Sequence, residues 1–230
     1  MKEKVVVIIP AFNEENAVGR VVRDIPKSWV DEVIVVNNNS TDLTSENAEK
    51  EGATVLFEAE KGYGRACLKG IDYLKKGRKK ETEIVVFIDA DYSDFPEQMP
   101  DLIKPIQSKQ VDMVIGSRAL GKREKGSMTA PQLFGNWLAT NLLKLFYGAK
   151  FTDLGPFRAI HYKSLLALDM QDETYGWTVE MQIKAAKQKL RFTEVPVNYR
   201  NRIGFSKISG TVKGTFMAGY KIIATLFKYF

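Results

Sequence analysis

Five short runs of β-branched and apolar residues mark the first half of the chain, at positions 5–9, 32–36, 54–57, 84–88 and 113–115. Between them the apolar residues recur at helical spacing, so strands and helices alternate. That alternation predicts an α/β fold with a mostly parallel sheet and helices on both faces. The second half is less regular. Positions 131–147 read as a long amphipathic helix, 175–189 as another, and 192–197 as a strand. In such sheets ligands bind beyond the carboxyl ends of the strands, so the loops there are the place to look for chemistry.

Three of those loops are rich in polar groups: Pro-Ala-Phe-Asn-Glu-Glu at 10–15, Asn-Asn-Asn-Ser-Thr-Asp at 37–42, and Asp-Ala-Asp-Tyr-Ser-Asp at 89–94. Helix capping accounts for the first two taken singly, with Asn13 as a cap followed by Glu14 and Glu15, and Ser40, Thr41 or Asp42 capping the next helix. Capping does not account for Asp89 and Asp91. Two aspartates separated by one small residue, directly after a buried strand, repel each other unless a cation joins them. Carboxylates combined with phosphate oxygens suit Mg²⁺ or Mn²⁺, which neutralises a diphosphate leaving group.

Other segments leave alternatives open. Lys61-Gly-Tyr-Gly-Arg65 opens the helix after the third strand, where free amides hold phosphate or the glycines merely make a turn. The first loop contains no glycine, which disfavours a dinucleotide-binding dehydrogenase and a sugar nucleotidyltransferase. Asp153, beside the Gly155-Pro156 turn, reads equally as a turn former and as a base aimed into a cleft.

With 44% hydrophobic and 27% charged residues in 230, the chain supports one well-packed domain over 1–210. Cys67 is the only cysteine, which excludes an internal disulfide, and His161 is the only histidine, which excludes a multi-histidine metal site. Acid–base chemistry therefore falls to carboxylates. The short apolar run after Met1–Lys4 predicts no secretion signal, and the lone thiol suits the cytoplasm. The net charge of +6 is concentrated at the end: residues 200–230 hold six basic side chains and no acidic one, leaving the remainder balanced at 28 against 28. Positions 211–230 thus predict a basic amphipathic helix that either lies on an anionic membrane surface or packs on its own domain. No nucleic-acid partner is expected.

In order along the chain, PAFNEE, VVNNNSTD, FIDADYSD, GSR at 116–118, TDLGPFR, VEMQIKA and VPVNYRNRIGFSK resemble the family 2 glycosyltransferases, particularly the dolichyl-phosphate mannosyltransferase-like branch. The resemblance covers about residues 5–207. It implies a GT-A, Rossmann-like fold and inversion at the anomeric carbon. Pro10, Phe12 and Glu14 would line the nucleoside pocket, with Val36 and Asn38 beside the base. Asp89, Ala90 and Asp91 would hold ribose, diphosphate and metal. Arg118 would reach the donor or acceptor phosphates, and Arg202 and Lys207 would engage phosphate across a closing loop. Asn37 and Asn38 replace the family's usual acidic pair, so the base is open between UDP, the first choice, and GDP. Ser93 stands where a glutamine ligand is frequent.

The resulting expectation is a single displacement in which Asp91 serves the donor and an acceptor oxygen attacks the sugar carbon. A polyprenyl phosphate acceptor needs no strong base. A saccharide or other hydroxyl acceptor needs one, for which Asp153 is the candidate and Glu180 the runner-up. Tyr175 and Trp177 are either a sugar platform or core aromatics. A non-catalytic, membrane-peripheral nucleotide-sugar-binding module is the remaining alternative.

Overall fold

β1 (Lys4–Ala11) runs through the middle of the protein and is buried at every position after Lys4, as expected for a strand covered on both faces. The structure, a computed structural model, describes residues 3–77, 82–204 and 212–229. Around β1 a seven-stranded sheet is ordered β3-β2-β1-β4-β6-β5-β7, with β2 at Glu32–Asn37, β3 at Thr54–Phe57, β4 at Thr82–Phe87, β5 at Met113–Ser117, β6 at Arg158–His161 and β7 at Phe192–Pro196. Six strands run parallel, while β6 lies antiparallel between β4 and β5. The apolar pattern gives the other six to within a few residues. It does not show β6, whose four residues include only two apolar ones, Ala159 and Ile160.

Side-chain alternation along the strands divides the core into two layers. Val5, Val7 and Ile9 face α1 (Val18–Asp24), α2 (Thr44–Lys50) and α4 (Met99–Gln107). Val6, Ile8, Val36 and Phe87 face α3 (Tyr63–Lys76), α5 (Ala130–Tyr147), α6 (Tyr162–Leu168) and α7 (Trp177–Lys187). Cys67 is buried in this second layer, as its helical neighbours predict. Thr129 and Gln132 form a capping box at the start of α5, and Gly148, at φ 66°, ends it.

The last helix, α8 (Val212–Lys228), joins the same layer. Leu226 is fully buried, Tyr147 donates its hydroxyl to the Leu226 carbonyl, and Lys221 pairs with Asp172 at 3.1 Å. The basic terminal helix therefore packs on the domain, while Met217, Tyr220 and Phe227 stay exposed. Among the described residues no helix is long and apolar enough to cross a membrane.

Candidate functional site

The carboxyl ends of β1, β2, β4 and β5 bring the polar loops to one edge of the sheet, as the alternating pattern predicts. There a cleft of about 230 Å³ is lined by Pro10, Phe12, Glu14, Asn38, Lys61 and Tyr63, with Asp89, Ala90 and Asp91 as its inner wall. A second cleft of about 300 Å³ opens beside it toward Arg118, Gln132, Asn136, Leu154 and Tyr199. Tyr63, Asp89, Asp91, Tyr175 and Arg202 line both. The two spaces are lobes of one site that meet at the Asp-Ala-Asp segment.

The two aspartates are held differently. Tyr63 donates its hydroxyl to Asp89 Oδ1 at 3.0 Å. Burial, and then the neighbouring Asp91 charge, push the Asp89 carboxyl up from its ordinary value to about 7. Tyr92 takes φ 63°, a left-handed conformation rare for an aromatic residue, and the resulting turn lets the Ser93 amide donate to Asp91 Oδ1 at 2.9 Å. Ser93 donates its hydroxyl to the same oxygen, so this serine orients Asp91. Arg202 then bridges Asp91 Oδ2 at 3.1 Å and Glu14 Oε1 at 2.6 Å, linking the loops after β4, β1 and β7. Its Nε is buried and has no partner among the described residues.

This donor set fits a divalent cation in company with a ligand. Two mutually repelling carboxylates gain from a cation between them. Among the described residues no group of three or more His, Cys, Asp or Glu side chains gathers to hold a metal alone. Oxygens of a bound diphosphate are the natural completion of such a shell.

Asp153 does not point into the cleft as a free base. Its Oδ2 accepts the Arg118 backbone amide at 2.7 Å and Nε at 2.9 Å, and its Oδ1 accepts Nη2 at 2.7 Å. Both oxygens are thus committed to one arginine. Burial works against the Arg118 charge, and Asp153 more than offsets it, holding the guanidinium above its ordinary range. The Asp153 loop is itself fixed: Gln182 donates to the Asp153 carbonyl, Asn136 accepts the Leu154 amide, and Glu194 accepts the Thr152 and Asp153 amides. Arg158 reinforces it by donating to the carbonyls of Leu154, Gly155 and Thr178, with burial lowering its pKa to about 10. Gly155 is required because a Cβ there would lie 2.4 Å from the Gly116 carbonyl oxygen.

Several sequence expectations change. Val36 is a fully buried core residue of β2 under α3 and does not border the cleft. Asn38 does border it, but its amide is engaged in holding the β3–α3 loop: Oδ1 accepts the Gly62 amide at 2.7 Å and Nδ2 donates to the Glu60 carbonyl. The Lys61–Arg65 segment is not an open phosphate nest, because the Gly64 and Arg65 amides donate to the Thr174 and Glu173 carbonyls. Trp177 is fully buried edge-on to Phe87, so only Tyr175 remains as a platform. Glu180 is a buried anchor that accepts from the Gln171 and Asp172 amides and the Tyr229 hydroxyl. Lys207 lies outside the described residues.

Pattern reading missed Tyr63, Tyr199 and Asp94. Tyr199 stacks under Arg118 at 5.0 Å. Asp94 is 1% exposed, and neither carboxylate oxygen has a partner among the described residues. Burial, and then the nearby Asp89, push its carboxyl well above the usual range. A pair of the form Asp-Ala-Asp followed by a further aspartate was the one available signal.

Comparison with known proteins points the same way. The model of glycosyl transferase family 2 matches residues 6–168. An undecaprenyl-phosphate mannosyltransferase of Micrococcus luteus is 30% identical over 92% of this chain and 90% of its own length. A UDP-N-acetylglucosamine–dolichyl-phosphate N-acetylglucosaminyltransferase of Methanococcus voltae is 29% identical over 98% and 96%. The crystal structure of glucosyl-3-phosphoglycerate synthase from Mycobacterium tuberculosis, in complex with Mn²⁺, UDP and glucosyl-3-phosphoglycerate, superposes with a TM-score of 0.77 at 22% identity, over 99% of this chain and 80% of that one.

Proposed function

We propose that this chain, which belongs to glycosyl transferase family 2 and has its GT-A-like α/β fold, transfers a sugar with inversion from a nucleoside diphosphate-sugar to the phosphate of a polyprenyl lipid. The observation that carries the proposal is the single two-lobed cleft, whose lobes meet at Asp89, Asp91 and Arg202. UDP-sugar is the favoured donor, and the names of the two sequence relatives support a polyprenyl-phosphate acceptor.

In this reading Pro10, Phe12, Glu14 and Asn38 enclose the nucleoside, and Lys61, 4.6 Å above the Phe12 ring, supplies positive charge at the same wall. Asp89 and Asp91, together with diphosphate oxygens, would hold Mg²⁺ or Mn²⁺, which would neutralise charge on the leaving group. Arg202 exchanges its Asp91 contact for the diphosphate. Arg118 faces the second lobe, where it holds the acceptor phosphate opposite the sugar. A phosphate oxygen is anionic before it attacks, so the reaction needs no free carboxylate base. The full engagement of Asp153 by Arg118 supports that choice over a hydroxyl acceptor.

The test is nucleotide release from a panel of UDP- and GDP-sugars with Mg²⁺ or Mn²⁺, with and without a short-chain polyprenyl phosphate. Lipid-dependent release that disappears in Asp91→Ala is the expected result and names the donor. Absence of UDP or GDP binding by titration calorimetry in the presence of Mn²⁺ overturns the proposal.

A further inference from the structure

One arginine beside the cleft does not enter it. Arg200 lines neither lobe, although Tyr199 before it and Arg202 just after it do. Its guanidinium lies over the Tyr92 ring, 3.5 Å from the centroid, and over the Phe95 ring at 4.1 Å. In that seat its Nε donates to the Tyr92 carbonyl at 2.7 Å and its Nη2 to the Asp94 carbonyl at 3.1 Å. Donating to two carbonyls while covering aromatic rings uses the properties that separate arginine from lysine. The seat is itself fixed, because Tyr92 donates its hydroxyl to Asp24 at the end of α1.

This seat joins the turn that carries Asp91 to the segment that carries Arg202. The two run antiparallel, with a bridge between Asp94 and Tyr199. The Arg200 amide donates to the Ser93 carbonyl at 2.9 Å, and the Ile203 amide to the Asp91 carbonyl at 3.0 Å. Arg202 therefore lies between two backbone ties to the Asp91 turn. On its other side the segment is held to the loop after β5, where the Tyr199 amide donates to the Lys122 carbonyl and Glu124 accepts from the Asn201 amide and side chain. A short bridged segment with few backbone ties frays readily, and Arg200 fastens this one by its side chain at two further carbonyls. From that backbone Arg202 reaches Glu14 at 2.6 Å and Asp91 at 3.1 Å, and its buried Nε, without a partner among the described residues, remains as an unspent donor.

We propose that Arg200 is a positioning residue: seated on Tyr92 and Phe95, it staples the segment that bears Arg202 to the Asp91 turn and so sets the aim of Arg202. For its ligand, the diphosphate of the donor, this inference rests on the function proposed above. The staple itself is read without any ligand.

The experiment uses the full chain and begins with amide hydrogen exchange in the absence of nucleotide. The amides of residues 200 and 203 are protected in the wild type, and Arg200→Lys lowers that protection by about tenfold or more while the β1 and β4 amides keep theirs. Phe95→Leu removes one ring of the seat, leaves the arginine charge in place and acts in the same direction, so it serves where Arg200→Lys folds poorly. Titration calorimetry with Mn²⁺ and UDP, and with Mn²⁺ and GDP in parallel, then reads the aim of Arg202. Arg200→Lys weakens nucleotide binding by about tenfold, roughly the worth of one charge-assisted hydrogen bond. In an Arg202→Ala background the same substitution changes binding by less than about twofold, because the residue through which it acts is gone. Unchanged exchange at residues 200 and 203 overturns the proposal. So do equal losses of affinity in the two backgrounds, which a general loosening of the fold would give. A wild type that binds neither nucleotide with Mn²⁺ overturns the donor reading instead, and the exchange result alone then decides the staple.

Discussion

Replacing Asp153 by Asn separates an anchor for Arg118 from a catalytic base. The pair is nearly dry, with Arg118 12% and Asp153 1% exposed, and its three hydrogen bonds span 2.7 to 2.9 Å. Breaking a buried pair by removing one charge costs ~3–5 kcal/mol. Arg118 borders an open lobe and keeps some hydration, and Asn retains one acceptor for the backbone amide, so about 3 kcal/mol is expected here. For a chain of this length that lowers Tm by roughly 6–12 °C. In the transferase assay the freed guanidinium loses its aim, so the acceptor KM rises about tenfold or more while kcat changes less. A double-mutant cycle with Arg118→Ala gives strongly non-additive losses in Tm and kcat/KM. The reasoning is refuted if Asp153→Asn keeps the wild-type Tm and acceptor KM yet loses about a thousandfold in kcat, which is the signature of a missing base.

Three further outcomes follow from the packing around the cleft. Glu180→Gln removes the charge that anchors the Gln171 and Asp172 amides and Tyr229, so unfolding in urea moves down by about 2 kcal/mol while kcat per folded molecule stays near wild type. A collapse of kcat would instead restore Glu180 as a base. Gly64→Ala places a Cβ 1.8 Å from the Asp172 carbonyl oxygen, a backbone atom that cannot swing aside, and destabilises by about 2 kcal/mol in the same assay. An unchanged midpoint would show that α3 and the 172–174 loop are not in tight contact. Asp94→Asn tests the unpartnered carboxyl. Its folded pKa is raised above the unfolded value, so the stability of the native protein falls as pH rises from about 4 through the raised value. Asn carries no such slope, and the Tm of the variant relative to wild type increases with pH. A difference independent of pH between 5 and 9, about the whole accessible range, contradicts a neutral Asp94.

The strands and the cleft-facing loops were legible because they depend on local pattern. β1, β2 and β4 are continuous apolar runs, each followed at once by polar residues, and a parallel sheet sends those polar residues to one edge. Asp89 and Asp91 could thus be expected at that edge from their strand position, whereas Arg118 and Arg202 were expected there only through the family resemblance. What was not legible depends on which side chain meets which across the fold. The Arg118 amide reaches an aspartate 35 residues later, and nothing in the spacing of Thr-Asp-Leu-Gly-Pro distinguishes that partner from a free base. β6 was hidden for a related reason. It lies antiparallel between β4 and β5, and its first residue, the buried Arg158, spends its side chain on the carbonyls of the preceding loop, so neither its length nor its apolar content marks it as a strand.

The asparagines of the second loop show the same division between position and role. Their place at the end of β2 put Asn37 and Asn38 at the cleft, and their replacement of an acidic pair suggested altered base recognition. In the structure Asn37 Oδ1 accepts the Ser40 amide and its Nδ2 donates to Ser45, while Asn38 spans from its own loop to Glu60 and Gly62. An amide supplies both a donor and an acceptor, which a carboxylate cannot do. Asn37 therefore ties its own turn to the Ser45 hydroxyl at the start of α2, and Asn38 sets the position of the loop that carries Lys61 and Tyr63 into the cleft. The consequence of the substitution reaches the ligand through that loop. Restoring Asp at position 38 would forfeit the donor to Glu60 and set a carboxylate against that carbonyl, loosening the Lys61–Tyr63 wall that Asp89 leans on.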